Sequence, residues 1–192
     1  MTTKRRILAL TGVTVLAAVG SVVGVQMADA AAAAAAGTVK VSSVVMTFTA
    51  GSNVANTVSV DGTRDGFAVI EDRAAPITIA PSAQSRCTAL SPSQVRCTGI
   101  HATDVDLGDR NDTLDVHGYL VTFAHGRAGN DRMSATWGQT WFWGEQGNDV
   151  LSGGSNDDTL DAGTGIGQQA TGGAGNDVCF GDGLTQTGCE TP

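Results

Sequence analysis

GRAGNDRMS at residues 126–134, GEQGNDVLS at 144–152, GGSNDDTLD at 153–161 and GGAGNDVCF at 172–180 are variants of one nonapeptide. Each approaches G-G-x-G-x-D-x-U-x, with U a large apolar residue. The aspartates, with Asp112 of the related Arg110-Asn111-Asp112, stand at 112, 131, 149, 158 and 177, in steps of 19, 18, 9 and 19. Eighteen is two nonapeptides, so one coil of chain should hold two glycine-rich turns and two short strands. Thr122, Thr140 and Gly167 fall where aspartates would otherwise complete the series. The U residues, two places later or nearly so, are then Leu114, Phe123, Met133, Phe142, Leu151, Leu160, Gln169 and Cys179. Six of these eight are large hydrophobes, which predicts a solenoid with a thin core.

Coil geometry sorts the turns onto two edges. One edge carries Asp112, Asp131, Asp149 and Gly167; the other carries Thr122, Thr140, Asp158 and Asp177. Neighbouring aspartates on an edge form the pairs Asp112 with Asp131, Asp131 with Asp149, and Asp158 with Asp177. Carboxylates stacked about 5 Å apart repel unless something neutralises them. Arg127 and Arg132 are placed to do so only locally. Asn and Asp also suit turns without any metal, but turn propensity does not explain a fixed register of acids.

Residues 105–183 resemble the hemolysin-type calcium-binding repeats, the RTX family, over under half of the chain. The resemblance implies an all-β fold, a right-handed parallel β-roll or β-helix solenoid, with calcium ions between turns of successive coils. It implies as metal ligands the carboxylates of Asp112, Asp131, Asp149, Asp158 and Asp177. It adds turn carbonyls from Gly126, Ala128, Gly144, Gln146, Gly153, Ser155, Gly172 and Ala174. Calcium takes about six to eight hard oxygens, and glycine lets a turn aim its carbonyls inward. Two or three ions are expected. Gly167 offers Asp149 no partner carboxylate, and Arg110 replaces a turn glycine, so those sites should be weak.

Upstream the signals change. Lys4, Arg5 and Arg6 precede an uncharged apolar run from Ile7 to Val25, and Ala28-Asp29-Ala30 follows as a small-x-small cleavage site. Residues 1–30 read as a secretory signal, although a retained anchor is the rival, since 19 residues nearly span a bilayer. Arg5-Arg6 also raises the twin-arginine export route, which the flanking residues match poorly. Residues 31–37 form an alanine-rich linker. Residues 38–103 alternate at period two through Val39-Val41, Val44-Met46-Phe48, Val58-Val60 and Phe67-Val69, broken by Gly51-Ser52-Asn53, Asp61-Gly62 and Asp65-Gly66. They predict an N-terminal β segment that forms or caps the first coils of a roll spanning residues 104–192.

Four cysteines form two pairs of equal spacing, Cys87/Cys97 and Cys179/Cys189. Export favours disulfides; four cysteines allow three connectivities, of which local pairing is the simplest. Each closed loop then stabilises by roughly 2–3 kcal/mol on the chain-entropy model. Zinc is the alternative, but its ligands are usually more closely spaced and no histidine stands nearby.

Cleavage leaves eight basic and 18 acidic residues, and from Asp104 onward 14 acids face three arginines and no lysine. That balance disfavours nucleic acid as a partner. No G-x-S-x-G, H-E-x-x-H or phosphate loop occurs. His101, His117 and His125 lack metal spacing. A non-enzymatic, extracellular calcium-binding protein is expected, with no membrane span after cleavage. A small calcium-dependent polysaccharide lyase or hydrolase is a more remote reading. If Phe142 points inward, Trp141 and Trp143 point outward from the same strand, near Trp137. They are the candidate contact for an extracellular glycan or protein, facing Val178 and Phe180 across Thr159 and Asp161. The outward row Thr113, Arg132, Val150 and Gln168 has no regular threonine array, which argues against an ice-binding face.

Overall fold

The computed structural model describes residues 36–190. The proposed signal and most of the linker lie outside the described residues. No described helix is long and apolar enough to cross a membrane.

Seventeen strands and one short 3-10 turn, Pro81–Ala83, make up the described fold. From β8 (Ala102–Asp106) onward the chain alternates between two parallel sheets. One carries β8, β10 (Val121–His125), β12 (Thr140–Trp143), β14 (Thr159–Asp161) and β16 (Val178–Phe180). The other carries β9 (Thr113–Gly118), β11 (Arg132–Ala135), β13 (Val150–Ser155), β15 (Gln169–Ala174) and β17 (Thr185–Thr187). Paired residues are 19, 18 and 19 apart through Thr113, Arg132, Val150 and Gln169. Two strands per coil, all stacked in parallel, make this a β-roll.

The N-terminal segment forms the first rungs of both sheets. β2 (Val45–Thr49) pairs in parallel with β8, and β3 (Thr57–Gly62) with β9. Beyond them the sheets turn antiparallel. β1 (Gly37–Ser42) folds back antiparallel on β2, and β5 (Ile77–Ile79) pairs with β1 in parallel at the sheet's edge. β4 (Phe67–Asp72) folds back on β3, followed by β7 (Gln94–Thr98) and β6 (Cys87–Ser91). A disulfide joins Cys87 to Cys97 at the base of the last hairpin, as the local pairing predicts, and Cys179 bonds to Cys189. Val39, Met46, Phe48, Val58, Ile70, Val95 and Ile100 fill this end with fully or nearly fully buried side chains. In β4 the inward residues are Ala68 and Ile70, while Phe67 and Val69 face out.

The roll's core is built on one inward residue two places after each turn's marker position, supplemented in the first coils by Val116 of β9 and Ala135 of β11. The inward series is Leu114, Ala124, Met133, Phe142, Leu151, Leu160, Ala170 and Cys179. Two of the expected core residues are therefore corrected. Phe123 pairs with Trp141 and faces outward, leaving Ala124 inside. Gln169 is exposed, and Ala170 takes the core position.

The second correction has a local cause. Register is kept at 18 residues as far as Ile166, whose N–H donates to Asn148 Oδ1 at 2.9 Å. Gly167 is then the inserted residue, at φ +85° with open space around it. A left-handed backbone in open space suits glycine. Gln168, fully buried, takes the marker position opposite Asp149, and the outward row continues through Gln169.

Candidate calcium sites

The turns are tied by a one-way ladder of side-chain hydrogen bonds. On one edge Asn56 N–H donates to Asp112 Oδ1 (2.6 Å), Asp112 N–H to Asp131 Oδ1 (2.8 Å) and Asp131 N–H to Asp149 Oδ1 (2.7 Å). On the other, Thr140 donates from both N–H and hydroxyl to Asp158 Oδ1, and Asp158 N–H donates to Asp177 Oδ1 at 2.9 Å. Earlier rungs of that edge hold no acid: Thr103 and Thr122 join hydroxyl to hydroxyl at 3.1 Å. The five candidate aspartates thus stand in the two files that the register predicts, each nearly or fully buried.

A second, outer ladder explains the asparagine of Gly-Asn-Asp, a role that the motif count did not reveal. Asn130 N–H donates to Asn111 Oδ1 and Asn148 N–H to Asn130 Oδ1, at 2.9 and 2.8 Å. Asn176 N–H meets Asp157 Oδ1 in the same way on the opposite edge. A short side chain with a carbonyl-type oxygen is what such stacking needs, and its recurrence one place before each aspartate was the available signal.

Only one oxygen of each aspartate is used. Oδ2 of Asp112, Asp131, Asp149, Asp158 and Asp177 is buried without a hydrogen-bond partner. Leaving a buried carboxylate oxygen bare is costly. Desolvation raises Asp112 and Asp158 to a pKa of about 6 and Asp131 to about 7, and it raises Asp149 too. Neighbouring acids push in the same direction: Asp109 and Asp72 on Asp112, Asp112 and Asp149 on Asp131.

The free oxygens face glycines and carbonyls, not donors. A Cβ on Gly126 would lie 2.4 Å from Asp131 Oδ2 and 2.8 Å from the Gly144 carbonyl oxygen one coil on. A Cβ on Gly144 would lie 2.5 Å from Asp149 Oδ2 and 2.8 Å from the Ala162 carbonyl oxygen. Gly153 stands likewise against Asp158, and Gly172 against Asp177. Oxygens of two coils therefore converge on a space kept clear of side chains. Hard oxygens without protons suit a hard divalent cation. Among the described residues no three Asp, Glu, His or Cys side chains cluster for a metal, consistent with a donor set supplied largely by the backbone.

The remaining sequence candidates are placed less uniformly. The Ala128 and Gln146 carbonyls already accept Arg110 and Gly129 N–H, and Ser155 and Ala174 pair with each other between β13 and β15. Leu107, fully buried, stands five residues before Asp112 where later turns have glycine. Arg110 adopts φ +90° in its turn. Gly167 is outside the ladder, and Gln168 replaces it, with Nε2 donating to the Gly147 carbonyl and Oε1 buried without a partner.

Trp141 and Trp143 are half-buried on the outer sheet face, as expected. Trp141 stacks on Phe123 at 5.0 Å, and Trp143 stacks on His125 at 4.6 Å. His125 also contacts Glu145, which bonds in turn to Arg127. Trp137 does not join them; it lies 6.2 Å from Tyr119, beside Gln139, Asn156 and Asp157.

Comparison with known proteins agrees with this geometry. Residues 134–168 and 169–183 match the family model of the RTX calcium-binding nonapeptide repeat, in four copies. No curated protein and no solved structure matches the chain. Residues 134–183 are RTX-type calcium-binding repeats built as a β-roll, and the ion that such repeats bind is calcium.

Proposed function

We propose that the chain is an exported, non-enzymatic calcium-binding protein in which the ion is a folding ligand for the roll. Asp112, Asp131, Asp149, Asp158 and Asp177 supply the charge, and the carbonyls of Gly126, Gly144, Gly153 and Gly172 and their neighbours complete the donor sets. Calcium would neutralise the buried carboxylates and join consecutive coils. The observation that carries this reading is the unpartnered Oδ2 on all five aspartates. Two disulfides and the basic-apolar leader at residues 1–30 support an extracellular setting. Binding to the folded coil and not to the unfolded chain couples calcium to stability. Calcium titration of the chain lacking residues 1–30, followed by calorimetry and circular dichroism, tests it. Heat and a gain of β signal are expected near the 10⁻⁴–10⁻³ M typical of extracellular modules; neither up to about ten times that range would overturn it.

A second reading concerns the outer face. Half-exposed Trp141 and Trp143, with exposed Phe180 two strands away, supply apolar surface for a sugar ring or a protein partner. Glycan-array binding that disappears in Trp141→Ala, with calcium binding intact, supports it; identical arrays for both proteins remove it.

A further inference from the structure

The nonapeptide match ends at residue 183, yet the ladder does not. Asp177 N–H donates to Glu190 Oε2, as Asp112, Asp131 and Asp158 donate to the next coil's carboxylate. Glu190 N–H returns a bond to the Asp177 carbonyl at 2.7 Å, and Val178 and Glu190 form a parallel bridge. Glu190 is therefore the next rung of the edge that holds Asp158 and Asp177. It arrives after 13 residues, not the 18 or 19 of a full coil.

The cradle is repeated as well. A Cβ on Gly172 would lie 2.6 Å from Asp177 Oδ2 and 2.0 Å from the Gly188 carbonyl oxygen. This is the arrangement at Gly126 and Gly144, with Gly188 in the role of the next coil's turn glycine. Asp177 is fully buried, and its Oδ2 has no partner. Two features bring Gly188 and Glu190 to this position: the parallel pairing of β17 with β15, and the bond between Cys179, which fills the core slot of β16, and Cys189.

We propose that the C-terminal tail completes one more calcium site, outside the nonapeptide repeats. Its ligands are Asp177 Oδ2, the Gly172 and Gly188 carbonyls and the free carboxylate oxygen of Glu190. Strand β17 and the Cys179–Cys189 disulfide are its positioning elements. A linear nonapeptide needs nine residues and a strand to present a carboxylate to the next coil. Here β17 and the cross-link present one from Glu190, 13 residues after Asp177. Asp177 then borders two sites, one shared with Asp158 and one with Glu190. The proposal rests on the calcium reading of the repeat turns.

Counting bound calcium on the chain lacking residues 1–30 by native mass spectrometry and calorimetry tests it. Glu190→Gln, at an exposed position, should lose one ion or weaken its binding at least tenfold while the other ions are kept. Removal of the cross-link in the Cys179→Ala/Cys189→Ala chain should lose the same ion, and Asp177→Ala should lose two. A wild-type count in Glu190→Gln overturns the proposal and leaves the repeat sites standing. No calcium on the wild-type chain overturns both readings. If the cross-link variant fails to fold, Glu190→Gln alone decides.

Discussion

The two ends of this solenoid share the same sheets but keep them together by different means. Residues 37–103 bury Phe48, Met46, Ile70 and Ile100, reverse strand direction and staple their outer hairpin. Their corners close mainly with neutral groups, the exception being the buried Asp72, whose Oδ1 accepts Thr57 and Ala74 N–H and whose Oδ2 has no partner. Asn56 Nδ2 donates to the Leu107 carbonyl and to Asp112 Oδ1, and Thr103 bonds to Thr122. From Asp112 to Asp177 the core thins to one or two inward residues per strand, alanine the main one in two strands, and each ladder aspartate keeps a bare buried oxygen. One end rests on a thicker hydrophobic core. At the other, on the proposed reading, calcium neutralises the buried carboxylates and so adds to a thinner one.

Stripping calcium should separate the two regions most sharply. Amides of residues 105–190 should exchange rapidly by hydrogen-exchange mass spectrometry, while β1 to β4 and the stapled hairpin keep their protection. Equal loss in both halves would break the contrast. Phe48→Ala should cost about 3–5 kcal/mol in denaturant unfolding, by the same amount with and without calcium, because no carboxylate site includes it. Asp131→Asn should change sign with the ion. In calcium it removes charge from two sites and lowers the melting temperature. Without calcium it relieves a buried carboxylate and stabilises, on the order of 1–3 kcal/mol. Destabilisation under both conditions would assign Asp131 a purely structural hydrogen-bonding role.

The last contrast is one of pH. Asp112, Asp131 and Asp158 have folded pKa values of about 6, 7 and 6, against an ordinary value of 3.8. Across that interval the folded, calcium-free chain binds more protons than the unfolded one, so stability falls as pH rises from about 4 to 7. Calcium competes with those protons, so its affinity should fall as pH drops through the same window. Denaturation in calcium-free buffer at pH 5 and pH 8 measures the slope, and it should be shallower in Asp131→Asn. A slope unchanged by that substitution would locate the effect elsewhere.

The period of the aspartates was enough to read two edges, their occupants and the strand stacking, because a two-turn coil leaves little freedom in how they align. Errors came where size outweighed position. Phe123 is larger than Ala124, but the slot two places after Thr122 is set by the backbone, and a ring fits better outside against Trp141. Gly167 looked like a missing acid, whereas one inserted residue shifted Gln168 into the ladder. Glu190 was illegible because no spacing rule covers a rung delivered by a short strand and a cross-link. Trp137 was grouped with its neighbours in sequence, although it sits on a turn after β11 and not on the tryptophan strand.

The direction of the ladder imposes an order on assembly. Each folded coil presents unsatisfied N–H groups on its C-terminal side, and the incoming coil brings the carboxylate that accepts them. Along this file a coil therefore has a receptive end and a closed one. The outer asparagine ladder runs the other way, each incoming N–H donating to Asn111, Asn130 or Asp157 of the coil before it, so this polarity belongs to the buried aspartates alone. Growth from the hydrophobic N-terminal end always offers the next acid a donor already fixed in place. Nucleation at the far end would require bare carboxylates to be held until their donors arrived. For a chain that emerges N-terminus first, that polarity lets every coil form on a finished template.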